Sequence, residues 1–234
     1  IIMSDADLDI AVPGVIDGMR YTRQGQACTA GSRVYIHEKI YDKVLEGAVE
    51  KLSKLKMGNA LDEKSDIGAI ISEEQLKRTL YYMDIAKKNS STKILHGGNQ
   101  SKGGEYKDGF YYEPTLLSGL PVSSPVCQEE VFGPVACAIP FKSFDEVMKS
   151  ANDTQFGLSA VLWTKDLSRA LQFVDEIEAG FVQVNQCVAP RANVSYGGIK
   201  MSGLGKEYAF DSMMNHFTQS KTVLINRGKS NIDN

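Results

Sequence analysis

The fold of this chain is decided around the ten residues Gln24-Gly25-Gln26-Ala27-Cys28-Thr29-Ala30-Gly31-Ser32-Arg33. This stretch sets one cysteine among residues that are nearly all small or polar, whereas a thiol kept only for packing usually has bulky apolar neighbours. The small residues leave the backbone open, so a substrate or cofactor could approach the sulfur of Cys28 closely. The same pattern also fits a tight turn from a helix to a strand that happens to carry a cysteine. The residues alone leave both interpretations open.

The composition is that of an ordinary globular chain. Its 234 residues are 42% hydrophobic and 24% charged, which is enough for one large domain, or one domain and an appendage. The formal net charge is -3 and the Lys and Arg residues are scattered. We therefore expect no nucleic-acid partner, since such a partner needs a basic patch. No apolar run approaches the roughly 18 residues of a membrane span, and the first residues lack the pattern of a leader, so we expect no membrane partner.

Cysteine and histidine usage bounds the chemistry further. The four cysteines lie far apart without a CxxC pair, and there are only three histidines, so the sequence predicts no metal site. Dispersed cysteines in a chain of this length indicate reduced thiols and a cytoplasmic location. We interpret Cys127, Cys137 and Cys187 as packing thiols. The three histidines are interpreted as surface or capping residues: His37, His96 and His216.

Helical and extended segments alternate along the chain. Apolar spacing and capping residues predict helices from about Leu8, over Tyr41–Leu55, after Ser72, after Ser143 and over Leu167–Ile177. Pro13-Gly14 is expected to break or kink the first helix, and Gly180 to cap the last. Strands are predicted at 1–3, 34–36, 93–96, 135–139, 159–163, 181–184 and 222–225, with an extended segment at 110–112 and an exposed loop over 97–109. This alternation predicts an open α/β sheet with right-handed crossovers.

Three motifs resemble the NAD(P)-dependent aldehyde dehydrogenase family. The stretch around Cys28 is similar to the family pattern Gly-Gln-x-Cys-x-Ala-(Gly/Ser)-x-Arg. The second motif is Glu129-Glu130-Val131-Phe132-Gly133-Pro134, and the third is Gly197-Gly198-Ile199-Lys200-Met201-Ser202-Gly203. From the residues alone, the second motif also fits the solvent-exposed start of a strand, and the glycines of the third motif also fit simple turns. The resemblance runs through essentially the whole chain, with the motifs in family order.

The resemblance implies a role for each motif. Cys28 would be the thiolate nucleophile that forms a thiohemiacetal and then a thioester with an aldehyde, and its backbone N–H would be an oxyanion donor. Glu130 would accept hydrogen bonds from the nicotinamide ribose hydroxyls of NAD or NADP, and Phe132 would pack beside them. Glu207 matches a family carboxylate behind the active site. The substrate pocket would be lined by Ala27, Thr29, Val188, Pro190 and Tyr196.

One predicted helix face has two open interpretations. Gln75 and Arg78 lie on the helix after Ser72. They either reach the adenosine end of the cofactor or form part of a solvated helix face.

The resemblance also implies a layout. Residues 1–201 would form the family's catalytic domain, an open, mostly parallel sheet with helices on both faces. Residues 202–217 would return toward a cofactor domain, and 218–234 would be an oligomerisation strand and tail. The family's Glu-Leu-Gly-Gly-Lys motif, which carries the general base, does not occur in this sequence. We expect that motif and the cofactor domain to lie upstream of Ile1, so that the isolated chain is inactive or nearly so.

The implied function is the oxidation of a small-molecule aldehyde to a carboxylic acid in a homo-oligomeric parent protein, either a dimer or a tetramer. Three alternatives stay open. The thioester could be released to coenzyme A, Cys28 could serve a thiol hydrolase with a histidine base, or the chain could be a non-catalytic folding or assembly module.

Overall fold

The computed structural model describes residues 1–226. In this range the strands are β1 Arg33–His37, β2 Lys93–His96, β3 Thr115–Ser118, β4 Val135–Phe141, β5 Phe156–Gly157, β6 Ser159–Leu162, β7 Phe181–Val184 and β8 Ile199–Lys200. The helices are α1 Leu8–Gly18, α2 Tyr41–Leu52, α3 Glu73–Lys88, α4 Pro125–Gln128, α5 Phe144–Asn152, α6 Leu167–Glu176 and α7 Phe210–Phe217.

The main sheet has the strand order β1-β4-β3-β2. Its first two pairings are parallel, and β2 lies antiparallel to β3 at the edge. A second sheet pairs β6 with β7 in parallel, and β5 and β8 form a short antiparallel ribbon. Ile2 forms parallel bridges to both Ile36 and Trp163, and so links the main sheet to the β6–β7 sheet. The predicted open, mostly parallel α/β architecture is confirmed.

The core lies on both faces of the main sheet because side chains along a strand alternate in direction. On β4, Cys137 and Ile139 join one apolar cluster, which contains Val147 of α5. The alternating residues Ala136 and Ala138 join the second apolar cluster, which contains residues of α1 and α2. Small residues on this second face fit the close approach of two helices. The predicted helices on both faces are confirmed.

Local signals predicted most elements, and packing corrected several of them. The Ser72 hydroxyl accepts a hydrogen bond from the backbone N–H of Gln75 at 3.2 Å, as expected of an N-cap residue. Of the two outcomes predicted at Pro13-Gly14, the kink stays a prediction and the break is wrong, because α1 runs through Pro13 to Gly18. Its buried residues Ala11, Val12 and Val15 pack into the core, and this burial outweighs the roughly 3 kcal/mol that an interior proline costs.

Two helix ends also differ from the prediction. Helix α2 ends at Leu52, and the turn after it is closed by the Ser53 hydroxyl, which donates to the Glu50 carbonyl oxygen at 2.8 Å. Helix α6 ends at Glu176, so Gly180 is not its cap. Gly180 instead donates its N–H to the Gly157 carbonyl oxygen at 3.0 Å.

Two further regions, one before β4 and one at the end of the chain, bear on predicted loops and strands. Residues 97–109 form a largely exposed loop, as predicted. Strand β3 was missed, since the predicted extended segment at 110–112 ends before Thr115. Residues 222–225 form no strand and are exposed, so the predicted strand is wrong for this single chain; its pairing with another subunit stays a prediction. The predicted tail over 227–234 lies outside the described residues.

Candidate active site

The loop that carries Cys28 connects α1 to β1 and is held at both ends. Gly31 donates its N–H to the Gly18 carbonyl oxygen at 2.8 Å, which fixes the loop to the end of α1. Gly25 has a φ of 64°, and a Cβ atom at this position would overlap the carbonyl oxygen of Gly133. The absence of a side chain at Gly25 therefore brings the first motif against the second. The side chain of Cys28 remains exposed.

Helix α3 holds the second motif through its backbone. The Gln75 amide nitrogen donates to the carbonyl oxygens of Val131 at 3.0 Å and Phe132 at 2.8 Å. The guanidinium of Arg78 donates to the Glu130 carbonyl oxygen. Phe132 has a φ of 54°, in the left-handed region that non-glycine residues rarely adopt. The two side chains on α3 therefore clamp the motif, a role that neither sequence interpretation of Gln75 and Arg78 foresaw.

The two adjacent carboxylates of the second motif have different surroundings. The Tyr82 hydroxyl donates to Glu129 Oε2 at 2.7 Å and accepts from Arg78 at 3.2 Å. Burial, followed by the hydrogen bond to Glu129, raises the pKa of Tyr82 to about 12. Glu130 is exposed, and its carboxylate makes no hydrogen bond or ion pair within residues 1–226. Glu129 is held against α3, whereas the carboxylate of Glu130 is available to a ligand.

The first two motifs meet in one cavity of about 390 Å³, which we call the Cys28 cleft. Five of the predicted site residues line it: Ala27, Cys28, Thr29, Glu130 and Phe132. Cys127 and Cys187 also line the cleft. Cys187 is half-buried and packs against the second apolar cluster, as expected for a packing thiol, and burial raises its pKa. Cys127 and Cys137 are buried in the core, as expected for packing thiols.

The other three predicted pocket residues do not line this cavity. Val188 lies on the loop after β7, where its N–H donates to Gln183 Oε1 at 2.8 Å and its carbonyl oxygen accepts from Arg20 at 3.3 Å. Pro190 follows on the same loop and is half-buried. Tyr196 reaches the site differently, because its hydroxyl lies 3.2 Å from Cys28 Sγ.

The third motif anchors the loops beside the site. Lys200 donates to the carbonyl oxygens of Asn152 at 2.8 Å and Thr154 at 3.1 Å, and it forms an ion pair with Glu178. The Ser202 hydroxyl accepts from the Gly157 N–H at 3.0 Å. The Lys and Ser of the motif therefore bind β8 and the turn after it to the α5–β5 region.

Lys206 and Glu207, just beyond the third motif, support the same loops. Lys206 donates to the carbonyl oxygens of Gly180 at 3.2 Å and Gly197 at 2.7 Å. Sequence reasoning missed Lys206, whose carbonyl partners are remote in sequence. Glu207 approaches the site through its backbone, which pairs with Tyr196, while its side chain is exposed.

The histidines lie away from the cleft, and the helices have ordinary lengths. His37 Nδ1 accepts from the Lys39 N–H at 3.2 Å, as expected of a capping residue. In the described range, no histidine lines the Cys28 cleft. Within residues 1–226, none of the helices combines the length and apolar character needed to cross a bilayer.

One cleft thus holds the exposed thiol of Cys28, the aromatic side chain of Phe132 and the carboxylate of Glu130, which has no protein partner within residues 1–226. The fold and this cleft define the class of protein as an α/β domain that carries an accessible thiol. The model of the Aldehyde dehydrogenase family matches residues 1–223, and the chain belongs to that family. The chain is 39% identical over 221 residues to an aldehyde dehydrogenase of Rhodospirillum rubrum, covering 94% of this chain and 43% of that protein. It is 35% identical over 229 residues to a betaine aldehyde dehydrogenase of Brucella melitensis, covering 98% of this chain and 46% of that protein.

Solved structures give the same result. An NAD+ complex of an aldehyde dehydrogenase from Bacillus cereus matches with a TM-score of 0.91 and 32% identity, over 97% of this chain and 45% of that one. A betaine aldehyde dehydrogenase from Staphylococcus aureus, in complex with NAD+, matches with a TM-score of 0.87 and 33% identity, over 92% of this chain and 42% of that one. The chain spans less than half the length of these relatives.

Proposed function

We propose that this chain supplies the nucleophile-bearing part of an oxidoreductase that converts a small-molecule aldehyde to a carboxylic acid, with NAD or NADP as cofactor. One observation carries the proposal: the thiol of Cys28 lines the same cleft as the carboxylate of Glu130, which has no partner in the described part of the chain. The names of the related proteins, aldehyde and betaine aldehyde dehydrogenases, support the reaction class.

Cys28 carries the chemistry. Its thiolate attacks the aldehyde carbon, a C–S bond forms, and the carbonyl electrons move to oxygen, giving a thiohemiacetal. The Cys28 backbone N–H is available to that oxygen as a hydrogen-bond donor. Loss of hydride from the same carbon leaves a thioester. A base of the parent protein then takes a proton from water, the water oxygen adds to the thioester carbon, and the C–S bond breaks to release the acid and restore the thiolate.

The residues of the cleft fit a nicotinamide dinucleotide. A carboxylate without a protein partner suits two ribose hydroxyl donors. Among residues 1–226, Glu130 has such an exposed carboxylate. Phe132 lines the same cleft, and its carbonyl oxygen is held by Gln75. The nicotinamide, when bound, accepts the hydride. Glu130 and Phe132 bind and orient the group, and Gln75 and Arg78 keep their backbone in place.

The proposal includes the parent protein. The isolated chain turns over little aldehyde, because a deacylating base in a Glu-Leu-Gly-Gly-Lys motif does not occur in its sequence. The parent is a cytoplasmic homo-oligomer with the substrate pocket shaped further by Val188 and Pro190. Release of the thioester to coenzyme A is the alternative to hydrolysis, and acyl-CoA product would identify it. A thiol hydrolase is disfavoured, since no histidine of the described range lines the cleft.

The test is mild alkylation of the native chain with iodoacetamide, with and without NAD, and mass mapping of the modified cysteine. We expect selective labelling of Cys28 that NAD slows. Glu130→Gln should reduce the protection by NAD, because it removes the charged acceptor from the cleft. The matched control is Glu74→Gln, which removes an exposed carboxylate from α3 and should leave protection unchanged. Equal labelling of all four cysteines, or equal protection in both variants, would contradict the proposal.

A further inference from the structure

The hydroxyl of Tyr196 lies 3.2 Å from Cys28 Sγ, although the two residues are 168 positions apart in sequence. This contact joins the loop of the third motif to the proposed nucleophile. Cys28 is exposed, so the core does not fix the position of its sulfur. Tyr196 provides a polar contact that can.

The ring of Tyr196 is itself held on several sides. It packs edge-on against Phe181 at 5.4 Å and against Tyr208 at 5.7 Å between ring centroids. Its backbone exchanges two hydrogen bonds with Glu207, at 3.0 Å and 2.7 Å. Aromatic pairs and a closed backbone pair leave the ring little freedom. The hydroxyl is therefore presented to the sulfur from a fixed position.

The chemistry of the two groups sets the direction of this hydrogen bond. A free thiol ionises near pH 8.5 and a phenol near about 10. Burial raises the pKa of Tyr196 further, and the contact with Cys28 adds to the rise. The phenol therefore keeps its proton when the thiol has lost its own. A thiolate can only accept, so the hydroxyl is the donor.

We propose that Tyr196 is a positioning residue for the Cys28 thiolate: its hydroxyl donates to Sγ and orients the sulfur before attack. The inference rests on the proposed role of Cys28 as nucleophile. When the C–S bond forms, a sulfur lone pair is consumed and the sulfur loses its charge, so the hydrogen bond weakens. Tyr196 thus acts on the free thiolate and releases it during acylation.

The experiment is the pH profile of iodoacetamide alkylation at Cys28, followed by mass mapping on the chain of 234 residues. Tyr196→Phe keeps the ring and removes the hydroxyl. Since one donated hydrogen bond shifts an ionisation by about one pH unit, the alkylation midpoint should rise by about that amount. The plateau rate at high pH should rise about threefold, because a less stabilised thiolate is the better nucleophile with a Brønsted slope of roughly 0.4–0.5.

Tyr208→Phe is the matched control. It removes a hydroxyl from the same aromatic cluster and keeps the ring contact to Tyr196, so both the midpoint and the plateau should match the wild type. A purely structural role for Tyr196 would leave the midpoint unchanged. The proposal is overturned if Tyr196→Phe and the wild type share one profile, or if Tyr208→Phe gives the same shift.

The outcome is separable from that of the proposed function. Selective, NAD-protected labelling of Cys28 with an unshifted Tyr196→Phe profile would remove the positioning role and keep the nucleophile. A shifted profile without NAD protection would keep the hydrogen bond and remove the cofactor assignment.

Discussion

Replacing Gly25 with alanine tests how the first two motifs are held together. Gly25 has a φ of 64°, and an added Cβ would overlap the Gly133 carbonyl oxygen and lie 2.8 Å from Met19 Cε. The left-handed backbone costs a non-glycine residue roughly 1–2 kcal/mol, and overpacking a filled site costs roughly 1–3 kcal/mol more. We expect Gly25→Ala to lower the free energy of unfolding by about 2–5 kcal/mol, a large share of the roughly 5–15 kcal/mol of an ordinary domain.

Gly104→Ala separates the two contributions. Gly104 also has a positive φ, 53°, but nothing lies within 4 Å of an added Cβ. It should therefore cost only the backbone contribution, roughly 1–2 kcal/mol. The assay is urea unfolding followed by the fluorescence of Trp163, the single tryptophan. If the two variants lose the same stability, the contact between Gly25 and Gly133 does not hold the motifs, and the reasoning fails.

Two further substitutions probe the support that α3 gives to the second motif. Gln75→Ala removes both hydrogen bonds to the Val131 and Phe132 carbonyl oxygens and should lower the free energy of unfolding in urea by roughly 1–3 kcal/mol. The control Lys77→Ala breaks only an exposed ion pair and should lower it by less than about 1 kcal/mol. Equal losses in the two variants would argue against the clamp. The pKa of Tyr82 is raised to about 12 from an unfolded value of about 10, so its stabilising contribution is complete below pH 10 and lost as the pH rises toward 12. Tyr82→Phe should flatten the fall of Tm with pH over that window, and an unchanged slope would contradict the assignment.

The sequence predicted those parts of the fold that depend on local chemistry. The alternation along β4 places its residues on two faces, and the Ser72 hydroxyl caps α3 through the amide three residues on. Both signals lie within a few residues of the element that they define. Pro13 shows the limit of such reasoning, because its local cost is outweighed by burial against helices and strands distant in sequence.

The candidate site divides along the same line. Motif resemblance was sufficient to select Cys28, Glu130 and Phe132, and the structure places all three on one cleft. It gave no signal for the α3 clamp, since Gln75 contacts carbonyl oxygens 56 and 57 residues away. Such contacts depend on backbone carbonyl groups, which every residue carries, so no pattern of residue types predicts them.

The site is therefore built mainly by contacts to the backbone. Gly25 lies against the Gly133 carbonyl, Gln75 and Arg78 hold three carbonyl oxygens of the second motif, and Lys206 holds two others near Tyr196. Because backbone groups hold the loops, neither the Glu130 carboxylate nor the Cys28 thiol is needed to hold its own loop in place. A carboxylate engaged in holding its own loop could not also accept from a ribose, and a thiol packed in the core could not reach a carbonyl carbon. The division of roles between backbone and side chain is what leaves both groups of this cleft available to a ligand.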